Sequence, residues 1–333
     1  MPPSVTATVI IPTFSLERWD QLVLGVDSVK AQTNPPVELI LCVDHNADLA
    51  HRCEERWGTD TSAGFPILVV PNRFEQSQIA ANHEKAHGSK RRFGAGWNRN
   101  TGAEVAQGDV IVFLDDDAAA EPSWLEHLLA PFDDPGTVAV GGAPLPRYET
   151  GRPRWFPANF DWVFGCAYAG LPTELGPYPR LIGANMAVRR ESYNAVGGCQ
   201  SIDFDDLDLC LRLSQKDGAR RLMYEPRAVV HHFVPRERVS WRYFWRRCYF
   251  VNHEKVEVFA ELGSAADMGA ETKFVIRSFT AQLVTDADDL LRGQWAGLSR
   301  IGAMLVGISM AAAGNLMGHV HWALRHRRRR FSS

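Results

Sequence analysis

The chain is poor in the patterns that announce metal fingers, disulfide frameworks and nucleotide loops. Its six cysteines, Cys42, Cys53, Cys166, Cys199, Cys210 and Cys248, form no CxxC pair and show no zinc spacing, which excludes zinc ribbons and argues for reduced thiols. No glycine-rich turn follows the first apolar run: VTATVII continues into PTFSLERW, with neither GxGxxG nor GxxxxGK followed by Ser or Thr. Rossmann dinucleotide and P-loop readings both fail on that absence, and the GAG at 94 to 96 lacks the third glycine that would rescue them. Positive charge is not in excess either, since 36 Lys and Arg against 39 Asp and Glu leave a net charge of −3, against a general nucleic-acid binder. The opening MPPSVTATVIIPTF has no basic region followed by a long apolar core, so a secretory signal is not expected and a cytoplasmic protein is. There is no internal repeat.

What is present begins with size. A length of 333 residues suits one large domain with an appendage, or two domains. Hydrophobic residues at 45% and charged residues at 23% are ordinary for a protein with a sizeable core. From residue 5 to about 140, short β-branched runs alternate with amphipathic helical patterns: VTATVII, a helix around Arg18 to Ala31, LILCV, a helix around Asp48 to Trp57, PILVV, a helix near Asn98 to Ala106, and VIVFL. That alternation predicts βαβ units around a parallel sheet, and such sheets gather ligands beyond the carboxyl ends of their strands. Residues 143 to 181, rich in Pro, Gly and aromatic residues without periodicity, read as a long loop or insertion, of a kind that is usually functional or disordered. The segment LIGANMAV, a helix near Asp206 to Gln215 and a strand pair around Arg221 to Tyr224 and Ala228 to Val230 follow.

The last hundred residues differ in kind. SWRYFWRRCYFVNHEKVEVFAEL mixes aromatics and arginines at helical spacing, and IGAMLVGISMAAAGNLMGHV, 301 to 320, approaches the length needed to cross a bilayer, diluted by glycine, Asn315 and His319. A helical pair packed on the rest, an interfacial membrane helix and a true span all fit. The closing run from Arg325 to Arg330, interrupted by His326, suits an anionic membrane surface or plain solvation.

Two acidic clusters carry the chemistry. In VIVFLDDDA, 110 to 118, an apolar strand ends in Asp115, Asp116 and Asp117, three carboxylates that repel one another unless a positive partner sits among them. A solvated turn leading into EPSWLEHLL, with Ser123 as N-cap, is one reading. A divalent cation shared with substrate phosphates is the other, since oxygen ligands suit Mg²⁺ or Mn²⁺. The second cluster, SIDFDDLDLCLRL, holds Asp203, Asp205, Asp206 and Asp208. Asp208 and Arg212 stand four apart and can pair on a helix, and acids at its start favour the dipole, which leaves Asp206 to face a cleft as general base. His231 and His232 end the strand AVV, and their opposite directions let one of them face the same cleft.

In this order, over roughly residues 5 to 250, these residues resemble family 2 glycosyltransferases, inverting nucleotide-sugar enzymes with the GT-A fold. The resemblance implies that Pro12, Thr13 and Phe14 lie on a loop under the nucleotide base and that Asp44, in LCVDHNAD, contacts uracil or another base. His45 and Asn46 stand where the family more often has a second acid and Gly-Ser. In GAGWNRNTGAEVAQGDVIVFLDDDA, Asn98 to Gly102 is similar to the family's Ala-Arg-Asn-x-Gly element, which puts Arg99 and Asn100 at the nucleotide. By the same likeness Asp115 addresses the ribose and stands beside Asp117 at the metal, and Asp116, in the variable middle of a DxD motif, is expected with them at the nucleotide. GANMAVRRE is similar to the acceptor-side segment, and DDLDLCLRL to a Glu-Asp-x-Asp-Leu stretch, with Asp206 in the base position and Asp205, where Glu is commoner, expected beside it in the catalytic pair. His231 resembles the histidine that completes the metal shell, and Arg246 or Arg247 would meet the diphosphate.

The resulting expectation is an α/β GT-A fold: a Rossmann-like, mostly parallel central sheet flanked by helices, with a C-terminal helical extension. The catalytic domain would span 1–235, with its nucleotide-sugar half at about 1–120 and its acceptor half at about 121–235, and a helical region would span 236–333. The expected reaction is metal-dependent transfer of a sugar, with inversion, from a nucleoside-diphosphate sugar, foremost a UDP-sugar, to a hydroxyl of a glycan or lipid-linked acceptor. Cell-envelope or exopolysaccharide synthesis, at the cytoplasmic face of the membrane and without nucleic acid, is the expected setting. Two alternatives stay open: a nucleotidyltransferase, against which the missing glycine-rich loop counts, and a non-catalytic subunit that binds sugar nucleotide or glycan.

Overall fold

A computed structural model describes residues 5–73, 95–201, 204–261, 279–280, 282–284, 286, 291–292 and 295–330. The chain divides into two compact units, one of Met1–Leu145 and Pro172–His232, the other of Pro146–Leu171 and Phe233–Ser333.

The first unit holds the sheet apart from the last residues of two of its strands. Strands β1 (Ala7–Thr13), β2 (Glu38–Val43), β3 (Ile67–Pro71) and β4 (Val110–Leu114) run parallel in the order β3-β2-β1-β4. Strands β5 (Ala118–Ala120), β6 (Ala139–Tyr148), β7 (Gly176–Pro177), β8 (Asn185–Arg189) and β9 (Leu222–Val234) extend it in the order β8-β6-β9-β5, with β7 on β9. The pairs β4–β8, β6–β8, β5–β9 and β7–β9 are antiparallel, so the parallel arrangement belongs to the first four strands.

Strands β1, β2 and β4 are largely continuous apolar runs because both their faces are covered. Val9, Ile11, Leu39, Leu41, Val110 and Val112 point to one face, under helices α1 (Trp19–Lys30), α2 (Ala47–Trp57) and, after α3 (Ala95–Val105), α4 (Trp124–Leu129). Ile10, Ile40, Cys42, Ile111 and Phe113 point to the other, where α3 and, beyond α5 (Arg190–Ala195), α6 (Asp205–Asp217) add Ala103, Leu209, Cys210 and Leu213. Full burial of each such side chain stabilises the fold by about 1.5–3 kcal/mol.

Two features depart from the strand pattern of the sequence. The expected strand pair at 221–224 and 228–230 is one strand, β9, which carries Pro226 in its interior, and the Arg227 N–H beside it is taken by the Glu225 carboxylate at 2.9 Å. Strand β6 starts at Ala139, runs into the expected loop of 143–181 as far as Tyr148, and contains Gly141, Gly142, Pro144 and Pro146. A Cβ on Gly142 would lie 2.2 Å from the Ala228 carbonyl oxygen, so the close approach of these two strands admits only glycine there.

All six cysteines are free and buried. Burial pushes the thiols of Cys53, Cys199, Cys210 and Cys248 up to about 12, which keeps them un-ionised.

The second unit is built on α7 (Trp241–Glu261) and α8 (Ala296–Arg330). The middle of the expected loop, Pro146–Leu171, belongs here and not to the sheet-bearing unit, so the division falls at 232/233 and includes this insertion, where the sequence suggested a boundary at 235/236. The insertion folds on its aromatics. A 3-10 helix over Ala158–Phe164 buries Phe160, Val163 and Phe164, whose neighbours are Phe156 and Phe244, with ring centroids 4.8 Å apart for Phe156–Phe164 and 5.2 Å for Phe160–Phe244. Such edge and tilted ring pairs contribute beyond their buried area.

Candidate active site

The site lies at the carboxyl ends of β1, β2 and β4. Leu114 ends β4, Asp115 to Asp117 follow, and the Ala118 N–H closes the turn on the Asp115 carbonyl at 3.0 Å before β5 begins. Antiparallel pairing of β5 with β9 sets Ala118 opposite His232, and that register brings His232 Nε2 to 2.8 Å from Asp117 Oδ1. His231, expected in the metal shell, is not there. Its ring faces Glu121 Oε1 at 3.2 Å on the other side of the strand, because successive strand residues point in opposite directions. The histidine that joins the aspartates is therefore His232.

The positive partners of the acidic turn are, in the first place, protein groups. Arg18 Nη1 lies 2.7 Å from Asp116 Oδ1 and 3.1 Å from Asp117 Oδ2. The Thr13 hydroxyl donates to Asp116 Oδ2 at 3.0 Å. Asp116 is thus turned inward and buried, and burial pushes its carboxyl up to about 6 against the pull of Arg18. It ties the loop after β1 to the end of β4, in place of the nucleotide contact expected of it. Arg18 was not singled out by sequence, since an arginine at the start of an amphipathic helix carries no distinguishing pattern.

Arg99, expected at the nucleotide, is buried on α3 and ion-paired on two sides, with Asp115 at 2.7 Å and with Asp205, while Nη2 also donates to the Gly183 carbonyl at 3.1 Å. Burial pulls against its charge, but Asp205 and Asp115 outweigh that pull and hold the guanidinium ionised. Burial raises the Asp205 carboxyl even so. One residue on, Asp206 is partly exposed, its Oδ2 accepting from the Gly183 N–H at 3.0 Å and its Oδ1 from the Leu207 N–H at 2.7 Å. Asp208 pairs with Arg212, as the four-residue spacing suggests. Asp203 and Gly94 lie outside the described residues.

Asn100 is occupied otherwise than expected. Its amide nitrogen donates to the Cys199 carbonyl at 2.8 Å, and its oxygen accepts from the Cys199 N–H at 2.8 Å and from the Tyr193 hydroxyl at 2.6 Å. It brackets the segment leading to α6. Asn98 does similar work on the other side, donating to the Cys42 carbonyl at 2.7 Å.

At the end of β2, Asp44 Oδ1 meets His45 Nδ1 at 2.6 Å and accepts from Asn72 Nδ2 at 2.7 Å. His45 has φ of +49°, a conformation that non-glycine residues seldom adopt and that marks ligand sites often. Asn46 caps α2 through the Leu49 N–H at 3.0 Å and donates to the Phe14 carbonyl at 3.1 Å, which joins the loops after β1 and β2. Pro12 and Thr13 are buried at the end of β1, and Phe14 is exposed. Arg246 and Arg247 are exposed on α7, in the second unit.

One oxygen from each of Asp115 and Asp117 and a ring nitrogen of His232 lie within 4.8 Å of one another. Around them five carboxylates, Asp115, Asp116, Asp117, Asp205 and Asp206, meet two guanidiniums and one imidazole, a surplus of negative charge. Two carboxylates and an imidazole converging this closely fit a divalent cation with oxygen and nitrogen ligands, such as Mn²⁺.

Comparison with known proteins adds a second line of observation. Residues 77–197 match the family model for glycosyl transferase family 2. The chain is 29% identical over 254 residues to glucosyl-dolichyl phosphate glucuronosyltransferase of Haloferax volcanii, covering 72% of this chain and 74% of the relative. It is 33% identical over 146 residues to a pre-mycofactocin glycosyltransferase of Mycobacterium tuberculosis, covering 40% of this chain and only 29% of that relative. Among solved structures, a mannosyltransferase from Pyrobaculum calidifontis in complex with GDP-Man and Mn²⁺ matches with a TM-score of 0.52 at 17% identity, over 98% of this chain and 82% of that one, a likeness of fold.

Proposed function

We propose, on the premise that this chain is a family 2 glycosyltransferase with the GT-A fold, that it moves a sugar with inversion from a UDP-sugar to a hydroxyl of a lipid-linked glycan. The observation that carries the reading is the Arg99 bridge. A single buried guanidinium pairs with Asp115 of the acidic turn and with Asp205, the neighbour of Asp206, so donor-side and acceptor-side acids are fixed in one frame.

Asp206 is the general base. Two backbone N–H groups hold its carboxylate and leave lone pairs on a partly exposed group. The acceptor hydroxyl gives its proton to Asp206 as its oxygen attacks the anomeric carbon. The bond from that carbon to the diphosphate oxygen breaks on the opposite face, and the nucleoside diphosphate leaves with the electron pair. One displacement inverts the centre without a covalent intermediate. Asp115, Asp117 and His232 would hold a divalent cation, Mn²⁺ or Mg²⁺, which when bound supplies positive charge for the leaving diphosphate.

Three observations support the choice of partners. Asp44 Oδ1 already takes two hydrogen bonds, which favours a base offering one imide N–H, as uracil does, over the paired donors of guanine. The Haloferax relative is named for a dolichyl phosphate-linked substrate, which supports a lipid-linked acceptor and envelope glycan synthesis. Helix α8 is long and apolar enough over Ala296–Arg325 to cross a membrane by length and composition, and its exposed Leu305, Leu316 and Leu324 precede the basic run. We read it as an interfacial anchor at the cytoplasmic face.

A thermal-shift panel of nucleotides with Mn²⁺ tests the donor: UDP should raise the melting temperature more than GDP. An equal or larger shift with GDP would refute the uracil assignment.

A further inference from the structure

The acidic turn carries its own cation. Ser15 Oγ accepts from the Glu17 N–H at 3.2 Å and so caps the 3-10 turn Leu16–Arg18, which delivers Arg18 to the start of α1. Its guanidinium lies 4.9 Å from the Phe14 ring centroid and reaches Asp116 and Asp117 together, at 2.7 and 3.1 Å, with 27% of the side chain exposed. Asp116 has both oxygens engaged, one by Arg18 and one by Thr13. It acts as the tether that keeps Arg18 beside Asp117.

Asp117 is also one of the three residues that converge for a divalent ion. A guanidinium and a dication on one carboxylate repel each other at short range in a partly desolvated site. Resting on the reading of Asp115, Asp117 and His232 as a metal site, we propose that Arg18 is an internal counter-cation that competes with the divalent ion for Asp117 and thereby couples metal binding to donor binding. With no nucleotide present, Arg18 balances the turn and weakens ion binding. A diphosphate adds the negative charge that lets the guanidinium leave Asp117 for a phosphate oxygen while it remains on Asp116.

The test is Mn²⁺ titration, followed by the electron paramagnetic resonance signal of the free ion, with and without UDP. It compares the unmutated protein with Arg18→Gln, Arg18→Lys and Asp117→Asn. Asp117→Asn should lose the ion. Arg18→Gln should bind Mn²⁺ about tenfold more tightly than the unmutated protein without UDP and show a smaller gain on UDP addition, in the range of ordinary coupling. Arg18→Lys keeps the charge without bridging both acids and should fall between, which guards against a folding defect in the glutamine variant. If Asp117→Asn loses the ion but neither Arg18 variant binds it more tightly than the unmutated protein, the metal-site reading stands and the Arg18 proposal is overturned. If Asp117→Asn binds as the unmutated protein does, the metal site itself is misplaced and the proposal falls with it.

Discussion

A buried guanidinium has to find its counter-charges inside the protein, and Arg99 finds Asp115 and Asp205. Replacing it with Met would leave Asp205 buried and uncompensated, and breaking such a pair costs about 3–5 kcal/mol. Urea unfolding of Arg99→Met should show a loss of that size, and a loss no larger than that of an exposed arginine would contradict the bridge. Asp206 makes a different prediction. Asn at this position keeps an oxygen for the Gly183 N–H but cannot take a proton, so Asp206→Asn should lower transfer by about 10²–10⁴-fold while sugar nucleotide still binds by calorimetry. Turnover at the unmutated rate would remove Asp206 from the base role.

At the scale of elements, α8 presents two faces. Gly307, Gly314 and Gly318 point to aromatic rings and to the α7 backbone, and a Cβ on Gly314 would sit 2.1 Å from the Tyr249 carbonyl oxygen. Gly314→Ala must push the helices apart, with an expected loss of about 1–3 kcal/mol, as for overpacking elsewhere, measurable by thermal melting. Strands β1, β2 and β4 were legible in the sequence because they are buried on both faces and therefore largely apolar, as VIIPT and VIVFL are. Strand β6 was not, because Gly142 answers to the Ala228 carbonyl of a neighbouring strand, a partner that no local pattern reveals. The same limit explains His231 and His232. Alternation says that one of them faces the aspartates, but only the pairing of Ala118 with His232 decides which. Arg18 was illegible for a similar reason, since its partners lie about a hundred residues away.

For the whole molecule, the sheet-bearing unit carries the acidic site and the other carries the apolar surface of α8. Leu305, Leu316 and Leu324 are 61%, 65% and 54% exposed, so changing them to Ser should spare the fold. The triple variant should keep its melting temperature and lose co-sedimentation with vesicles rich in anionic lipid; undiminished sedimentation would contradict the anchor. The central claim, that a divalent ion on Asp115, Asp117 and His232 receives the diphosphate of the donor, is tested most directly by calorimetric titration of UDP. Unmutated protein, His231→Ala and His232→Ala would each be titrated with Mn²⁺ and with chelator. The account predicts binding that requires Mn²⁺, is weakened about tenfold or more by His232→Ala, and is unchanged by His231→Ala. UDP binding that persists in chelator, or that depends on His231 instead, would contradict it.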